Sequence, residues 1–158
     1  MSPPTSPPKG RQITRLTASA RSETPRRAKI RIRTHTVLID DAVKRGGTDQ
    51  GPNPPETFLA SMAGCLNIQM NRLAKERGIT LKNIRLSIDA DFDRRGVTWG
   101  EDVPVPFPLV RIAVTGKSDA SKNKLAVLRR DMLRHCPVSR VLLEGGTRFR
   151  QSWDIDAL

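Results

Sequence analysis

The sequence predicts one domain that mixes helices and strands, and three patterns carry this prediction. Apolar residues recur at helical spacing over about residues 56–77, which predicts a long amphipathic helix. Apolar and polar residues alternate from Asn83 to Asp93, which predicts a half-buried strand. The chain has 158 residues, 37% of them hydrophobic, and this composition suits a single core.

The other elements follow from shorter patterns. Residues 12–20 are a weak strand candidate, and the β-branched stretch from Lys29 to Asp40 predicts one or two strands. A loop rich in Gly and Pro then leads to the long helix. Beyond the alternating strand, the sequence predicts a strand over residues 110–114, a second helix ending near Arg134, a short helix beginning at Pro137 and a final strand over residues 147–155.

The long helix has the best-marked boundaries. Asn53 can cap its N-terminus, Pro54 suits the first helical position, and Glu56 stands three residues after the cap. Gly78 supplies a C-terminal stop. Its centre, residues 60–65, consists almost entirely of small residues, so another backbone can approach it closely.

Residues 1–27 are rich in Pro, Ser and basic residues, and we interpret them as a disordered tail. The first 31 residues contain eight basic residues and one acid, so they hold more than half of the net charge of +12. Such a tail can bind nucleic acid non-specifically. With no Tyr and only 4% aromatic residues, however, the chain offers few surfaces on which bases could stack. No apolar run is long enough to predict a membrane span.

Cys65 and Cys136 are the two cysteines of the sequence, and the residues alone leave several roles open for them. The chain shows no secretory signal, so a structural disulfide is not expected. Core packing, a metal site with His35 and His135, and redox chemistry remain. The metal site is disfavoured because adjacent His135 and Cys136 are poorly spaced to bind one tetrahedral ion, and no CxxC or HxxxH motif is present.

The two cysteines differ in their predicted local context. Cys65 falls at or beside the buried stripe of the long helix, where a small hydrophobic core residue is the plainer interpretation. Cys136 directly precedes Pro137 and so lies near a helix N-terminus, whose N–H groups and dipole stabilise a thiolate. An ordinary cap residue is the alternative for Cys136.

A thiolate that attacks peroxide needs a cation to hold it and an acid to orient that cation. Arg45 and Glu56 are candidates for these roles, although Arg45 also fits a solvated loop charge and Glu56 a capping residue. Glu56 and Cys65 are nine residues apart and therefore face opposite sides of one helix. Both can serve one site only if the chain folds around the helix or a partner subunit contributes.

Two segments together resemble a known family. GPNPPETFLASMAGCLNI (51–68) resembles the loop and helix that carry the first cysteine in the OsmC/Ohr superfamily of hydroperoxide reductases. HCPVSRVLLEGGT (135–147) resembles the segment that carries the second cysteine. VLIDD at 37–41, followed by Gly46 and Gly47, is also similar to that family. The resemblance covers about residues 28–155, and we expect an OsmC-like domain over residues 28–158.

The resemblance implies an α+β, OsmC-like fold with antiparallel sheets and long central helices in an intertwined homodimer. It implies that Cys65 attacks the peroxide and that Cys136 condenses with the resulting sulfenic acid to a disulfide. Glu56 matches the acid of the family. No position matches the family's arginine cleanly; Arg45 is the nearest and Arg33 the second choice.

The function so implied is that of a cytoplasmic peroxiredoxin-like enzyme of the oxidative stress response. It would reduce organic hydroperoxides, and hydrogen peroxide less well, with a lipoyl- or thioredoxin-type dithiol as reductant and no cofactor. Two alternatives remain. One is a thiol–disulfide protein centred on Cys136 and the following Pro-Val-Ser, and the other is a non-enzymatic OsmC-like dimer that binds an apolar ligand or, through its tail, nucleic acid.

Overall fold

The computed structural model of the chain describes residue 10 and residues 12–158. These divide into two compact units, Met1–Pro54 and Pro55–Leu158. Each unit contains one three-stranded sheet. The α+β class predicted from the sequence is confirmed.

The N-terminal unit is an antiparallel meander of three short strands. Its strands are β1 (Ser19–Thr24), β2 (Arg27–Ile32) and β3 (His35–Ile39), in that order across the sheet. A single 3-10 turn follows at Val43–Arg45. The predicted disordered tail is therefore wrong for residues 19–27, where the β1–β2 pairing satisfies the backbone of a segment that composition alone marks as polar. Of the remaining tail residues, 10 and 12–18 are described and contain no helix or strand. Residues 1–9 and 11 lie outside the described residues.

The C-terminal unit combines four helices with a mixed sheet of order β4-β5-β6. The helices are α1 (Pro54–Glu76), α2 (Arg95–Trp99), α3 (Lys122–His135) and α4 (Pro137–Glu144). The strands are β4 (Leu81–Asp91), β5 (Leu109–Ser118) and β6 (Arg148–Ala157). The predicted long helix and the two later helices agree with α1, α3 and α4, whereas the short exposed helix α2 was not predicted.

The C-terminal sheet is not wholly antiparallel. Strand β4 pairs antiparallel with β5, but β6 pairs parallel with β5 over its whole length. The connection from β5 to β6 contains both α3 and α4, and a crossover that includes helices returns the chain in the same direction. The expectation of purely antiparallel sheets is corrected at this pair.

One apolar cluster forms the core of the C-terminal unit. It takes its fully buried side chains from α1, β5 and α3: Met62, Leu66, Met70, Val110, Ile112, Val114, Leu128 and Met132. Burial of each such side chain stabilises the fold by about 1.5–3 kcal/mol. Strand β4 contributes the half-buried face that its alternating sequence predicts. The core therefore fixes the rotation of α1 about its own axis.

The N-terminal sheet has no comparable core. Among its described residues, no apolar side chain of the three strands is fully buried. Ile30, Val37 and Ile39 are half-buried and Ile32 is 40% exposed. A sheet of this size needs a packed apolar face for stability.

Asp40 organises the loop that follows β3. It is 1% exposed, and its carboxylate accepts bonds from the Thr48 hydroxyl (2.5 Å) and from the backbone N–H groups of Asp41, Thr48 and Gln50. The Thr48 hydroxyl is the largest cause that lowers the pKa of Asp40, to about 2, with the three N–H groups adding to it against the opposing effect of burial. Asp40 thus fixes the loop that carries Arg45.

We expect Asp40→Asn to destabilise the chain at pH 7 and to lose this effect in acid. Because the folded-state pKa lies below the unfolded value, the carboxylate stabilises the fold fully above about pH 4, and that contribution disappears as pH falls towards about 2. The free energy of unfolding from urea titrations at pH 7 and pH 2 measures it. Asp49→Asn, an exposed carboxylate of the same loop, is the control. An equal loss at both pH values would contradict the assignment.

Candidate functional site

The fold brings Cys65 and Cys136 together. Their sulfur atoms are 2.7 Å apart, close enough for one thiol to hydrogen-bond to the other. Both residues are free cysteines. Their exposure differs, since Cys136 is completely buried whereas Cys65 is only partly buried. The site therefore consists of one partly buried and one fully buried cysteine whose sulfur atoms are within reach of a disulfide.

Helix α1 positions Cys65 beside its buried stripe. Met62, Leu66 and Met70 are fully buried and anchor one face of this helix in the core. Cys65 lies next to Leu66 on the margin of that face and packs against the same cluster. The predicted position at or beside the stripe agrees with this arrangement.

The break between α3 and α4 positions Cys136. A proline disfavours helical dihedrals in the residue before it, so Pro137 ends α3 at this point. Cys136 is accordingly extended, with φ −80° and ψ 114°. Its N–H donates to the Met132 carbonyl and closes α3, while its sulfur caps α4 by accepting from the Ser139 N–H at 3.4 Å. The helix N-terminus predicted at Cys136 agrees with this geometry.

The N-terminus of α4 acts on both sulfur atoms. Ser139 donates its N–H to Cys136, and the backbone N–H of Val138 lowers the pKa of Cys65. These groups are the first free N–H donors of the helix, where the macrodipole favours negative charge. The dipole argument that singled out Cys136 from the sequence therefore extends to Cys65.

Other causes outweigh that effect at Cys65. Burial is the largest and, with the hydrogen bond and the charge of neighbouring Cys136, it raises the pKa of Cys65 to about 11. The effect of Cys136 follows from proximity, because two negative charges at 2.7 Å repel strongly. Cys65 within the described chain therefore needs a further positive charge to ionise at neutral pH.

The other two candidate residues lie on separate elements. Glu56 stands in the first turn of α1. Nine residues of continuous helix separate it from Cys65, which places the two on opposite sides of α1 and about 13 Å apart along its axis. Arg45 closes the 3-10 turn of the N-terminal unit, where Asp41 binds its guanidinium at 2.5 Å. Arg33, the second choice, has a positive φ of 55° in the turn between β2 and β3.

An aromatic cluster lies on the same side of α1 as Cys65. Phe58 precedes Cys65 by seven residues, or about two turns. Phe107 stacks on Phe58 at 5.6 Å between ring centroids, and Phe92 stacks on Phe107 at 5.0 Å. All three rings are half-buried. The alternating pattern identified Phe92 as inward-facing, but no sequence signal predicted that these rings meet.

The structure gives no support to a metal site. Among residues 10 and 12–158, no three or more His, Cys, Asp or Glu side chains come close enough to hold an ion. His135 instead contacts Arg72 of α1 at 3.3 Å. Within the same part of the chain, no helix is long and apolar enough to cross a membrane.

Comparison with known proteins identifies the family. The sequence model described as OsmC-like protein matches residues 47–151, which is well over half of the chain and includes both cysteines. The chain belongs to the OsmC-like protein family. No curated protein sequence matches it.

Solved structures of OsmC-like proteins share this fold. An OsmC-like protein from Mycoplasma pneumoniae superposes with a TM-score of 0.73 at 14% identity, covering 93% of this chain and 99% of its own. The organic hydroperoxide resistance protein OsmC from Legionella pneumophila superposes with a TM-score of 0.62 at 15% identity, covering 92% of this chain and 99% of its own. An organic hydroperoxide resistance protein from Elizabethkingia anophelis superposes with a TM-score of 0.64 at 12% identity, covering 94% of this chain and 100% of its own. Identities this low establish the fold alone.

We expect Cys136→Ser to lower the pKa of Cys65. A serine hydroxyl stays neutral, so the charge that opposes ionisation of Cys65 is removed while an oxygen remains to cap α4. The pH dependence of alkylation by iodoacetamide measures this pKa. The matched control is Cys65→Ser, which should remove the more exposed thiol, and with it this titration, altogether. An unchanged titration of Cys65 in Cys136→Ser would show that the two thiols are not coupled.

Proposed function

We propose that this OsmC-like protein is a thiol-dependent peroxidase that reduces organic hydroperoxides, and hydrogen peroxide less well. The observation that carries the proposal is the pair of thiols at 2.7 Å with unequal exposure. Family membership and the fold shared with organic hydroperoxide resistance proteins support it. Two free thiols are compatible with the reducing cytoplasm as the site of action.

The proposed reaction has three steps. The Cys65 thiolate attacks the terminal peroxide oxygen, so that an S–O bond forms, the O–O bond breaks and the alcohol leaves after taking a proton. Cys136 then attacks the sulfur of the Cys65 sulfenic acid, forming the disulfide and releasing water. A dithiol finally returns both cysteines to thiols and becomes a disulfide itself.

Cys65 is the better candidate for attack on the peroxide. It is partly exposed, whereas Cys136 is completely buried and a peroxide would have to pass the core to reach it. The pKa of about 11 argues that a cation must reach Cys65 before it reacts at neutral pH. We propose that Arg45 supplies this charge from a second copy of the chain and that Glu56 orients it.

Two features support the homodimer that this proposal needs. The N-terminal sheet lacks buried apolar residues and requires a further surface to pack against. In addition, α1 exposes a stripe that contains Ala60, Gly64 and Ile68. A Cβ at Gly64 would meet nothing within 4 Å. A second helix can therefore approach α1 closely at this point, one residue from Cys65.

The aromatic cluster supports an organic substrate. Phe58, Phe92 and Phe107 present half-buried rings along the α1 face that carries Cys65. Apolar surface of this kind binds the carbon body of a hydroperoxide but offers nothing to hydrogen peroxide. The proposed preference for organic hydroperoxides follows from it.

We expect Cys65→Ser to abolish turnover of cumene hydroperoxide with dithiothreitol, since no second thiol can reach the peroxide. Without dithiothreitol, Cys136→Ser should complete one oxidation of Cys65 and then accumulate its sulfenic acid, because the resolving thiol is missing. Peroxide consumption and trapping of the sulfenic acid with dimedone measure the two effects. Full activity of Cys65→Ser would refute the mechanism. Slow reaction of both thiols in the native protein would favour an OsmC-like dimer that binds an apolar ligand.

We expect Arg45→Ala to lower kcat/KM roughly a hundredfold through the loss of charge stabilisation at the reacting sulfur. Arg45→Lys should retain part of the activity, because it keeps the charge without the planar fork. Arg95→Ala is the control, since Arg95 is an arginine at the start of α2 that is bound by the carboxylates of Asp93 and Glu101. Steady-state kinetics distinguish these variants. Equal losses in both alanine variants would exclude a specific role for Arg45.

We expect Gly64→Arg to produce a monomer with little peroxidase activity. An arginine side chain at this open position would block close approach of a second α1 helix without crowding its own chain. Light scattering coupled to size-exclusion chromatography measures the mass in solution. Ala126→Arg, a small-to-large change on the exposed side of α3, should leave the dimer intact. An active Gly64→Arg dimer would rule out this interface.

A further inference from the structure

We infer that the reducing thiol attacks Cys65 of the oxidised pair and expels Cys136 as a thiolate, with Ser139 as the residue that holds this leaving group. The inference rests on the proposed peroxidase cycle and adds the direction of its last step. It also assigns a positioning role to Ser139, which none of the preceding steps uses. Three observations carry it: the exposure of the two sulfurs, the cap geometry of α4 and the unsatisfied hydroxyl of Ser139.

Exposure decides which sulfur an external thiol can reach. Thiol–disulfide exchange requires the attacking thiolate to approach one sulfur in line with the bond that breaks. Cys136 is completely buried between α3 and α4, whereas Cys65 is partly exposed on the margin of α1. Within the single chain the more exposed cysteine is therefore Cys65, so we take Cys65 as the sulfur that is attacked and Cys136 as the sulfur that leaves.

The N-terminus of α4 is suited to receive the leaving group. Cys136 is the N-cap of a helix of eight residues, and its sulfur already accepts the Ser139 N–H at 3.4 Å. A thiolate at this position is stabilised by the helix N-terminus and leaves faster. The same donor thus caps the resting thiol and meets the charge that forms on it.

Besides its backbone N–H, Ser139 has a side-chain hydroxyl that makes no hydrogen bond to any described residue in the resting site. It is completely buried, and its hydroxyl has no hydrogen-bond partner within the part of the chain that the structure describes. In a capping box, a Glu or Gln side chain at the third helical position accepts from the backbone N–H of the cap residue. The N–H of Cys136 is already bound to Met132, however, so this partner is occupied. Side chains in a helix tilt towards its N-terminus, so the Ser139 side chain leans towards the end of α4 that Cys136 caps, although its hydroxyl makes no hydrogen bond there with the described residues of the resting site.

A buried hydroxyl without a partner costs stability. A thiolate formed on Cys136 would give the Ser139 hydroxyl an acceptor. When the external thiolate bonds to Cys65, the electron pair of the broken S–S bond goes to Cys136. The Ser139 hydroxyl can rotate to donate to that charge. The second thiol of the reductant then attacks its own sulfur on the mixed disulfide and releases Cys65, so that the dithiol loses the two electrons that the protein gains.

The direction of attack is tested on native protein oxidised with diamide, which makes the disulfide without any peroxide. Glutathione is added, the reaction is stopped with acid, and the freed thiol is blocked with N-ethylmaleimide. Trypsin leaves Cys65 on the peptide 46–72 and Cys136 on the peptide 135–140. We expect glutathione on Cys65 and maleimide on Cys136. The opposite labelling would overturn the inference while leaving the peroxidase proposal intact, whereas failure of peroxide alone to form the disulfide would refute only the latter.

Ser139→Ala tests the leaving-group role. We expect reduction of the disulfide by dithiothreitol to slow about fivefold, whereas oxidation of Cys65 by peroxide keeps its rate. With glutathione on Cys65, the ultraviolet absorbance of the Cys136 thiolate should fall relative to native protein. Thermal stability should not fall, because the variant removes an unsatisfied buried hydroxyl.

The matched control is Ser121→Ala, which removes the cap of α3, the other helix of this connection. It should lower thermal stability and leave the rate of disulfide reduction unchanged. Native-like reduction in Ser139→Ala, or slower reduction in both variants together with lower stability, would show that Ser139 has only a structural role.

Discussion

The break between α3 and α4 is the constraint on which the thiol pair depends. Pro137 prevents its preceding residue from continuing α3, and the extended backbone of Cys136 then serves two helices at once. Its N–H completes the hydrogen bonds of α3, and its sulfur begins α4. Because the core fixes the rotation of α1, the sulfur turned inward by this break lies against Cys65. A helix that ran through residue 136 would lose both caps and the contact.

The two sulfurs occupy unequal environments, and their proposed roles follow from this difference. Cys65 is accessible but hard to ionise, since burial and the neighbouring thiol raise its pKa to about 11. Cys136 is inaccessible but lies at a helix N-terminus with a spare hydroxyl beside it. An external cation is therefore needed at Cys65. A second copy of the chain, bringing Arg45, would complete the site where the single chain leaves it incomplete.

Local sequence patterns predicted where helices begin and end better than they predicted which strands pair with each other. The cap at Asn53, the apolar stripe and the stop at Gly78 predicted α1 to within two residues at each end, and Pro137 predicted the start of α4. Both are decided by interactions within a few residues of the chain. Periodicity does not report contacts between distant strands. It therefore did not predict that β6 pairs parallel with β5, or that residues 19–27 form paired strands instead of a disordered tail.

The same limit applies to the candidate site. Spacing along the chain could not predict that Cys65 meets Cys136, which is 71 residues away, and only the resemblance to OsmC/Ohr proteins suggested it. Helical spacing did correctly separate Glu56 from Cys65, because that relation lies within one helix. The role of Asp40 was not predicted from the sequence, and Ser139 was named only as the last residue of the segment that begins with Cys136. Each acts through burial and hydrogen bonds that composition cannot reveal.

The central claim is that the two thiols form one redox unit driven by hydroperoxide. The most direct test is the mass of the intact native protein before and after one equivalent of cumene hydroperoxide, followed by peptide mapping. The account predicts rapid loss of two hydrogen atoms and a crosslink between Cys65 and Cys136. Two thiols that persist unreacted would contradict the peroxidase mechanism and leave the OsmC-like fold without this chemistry.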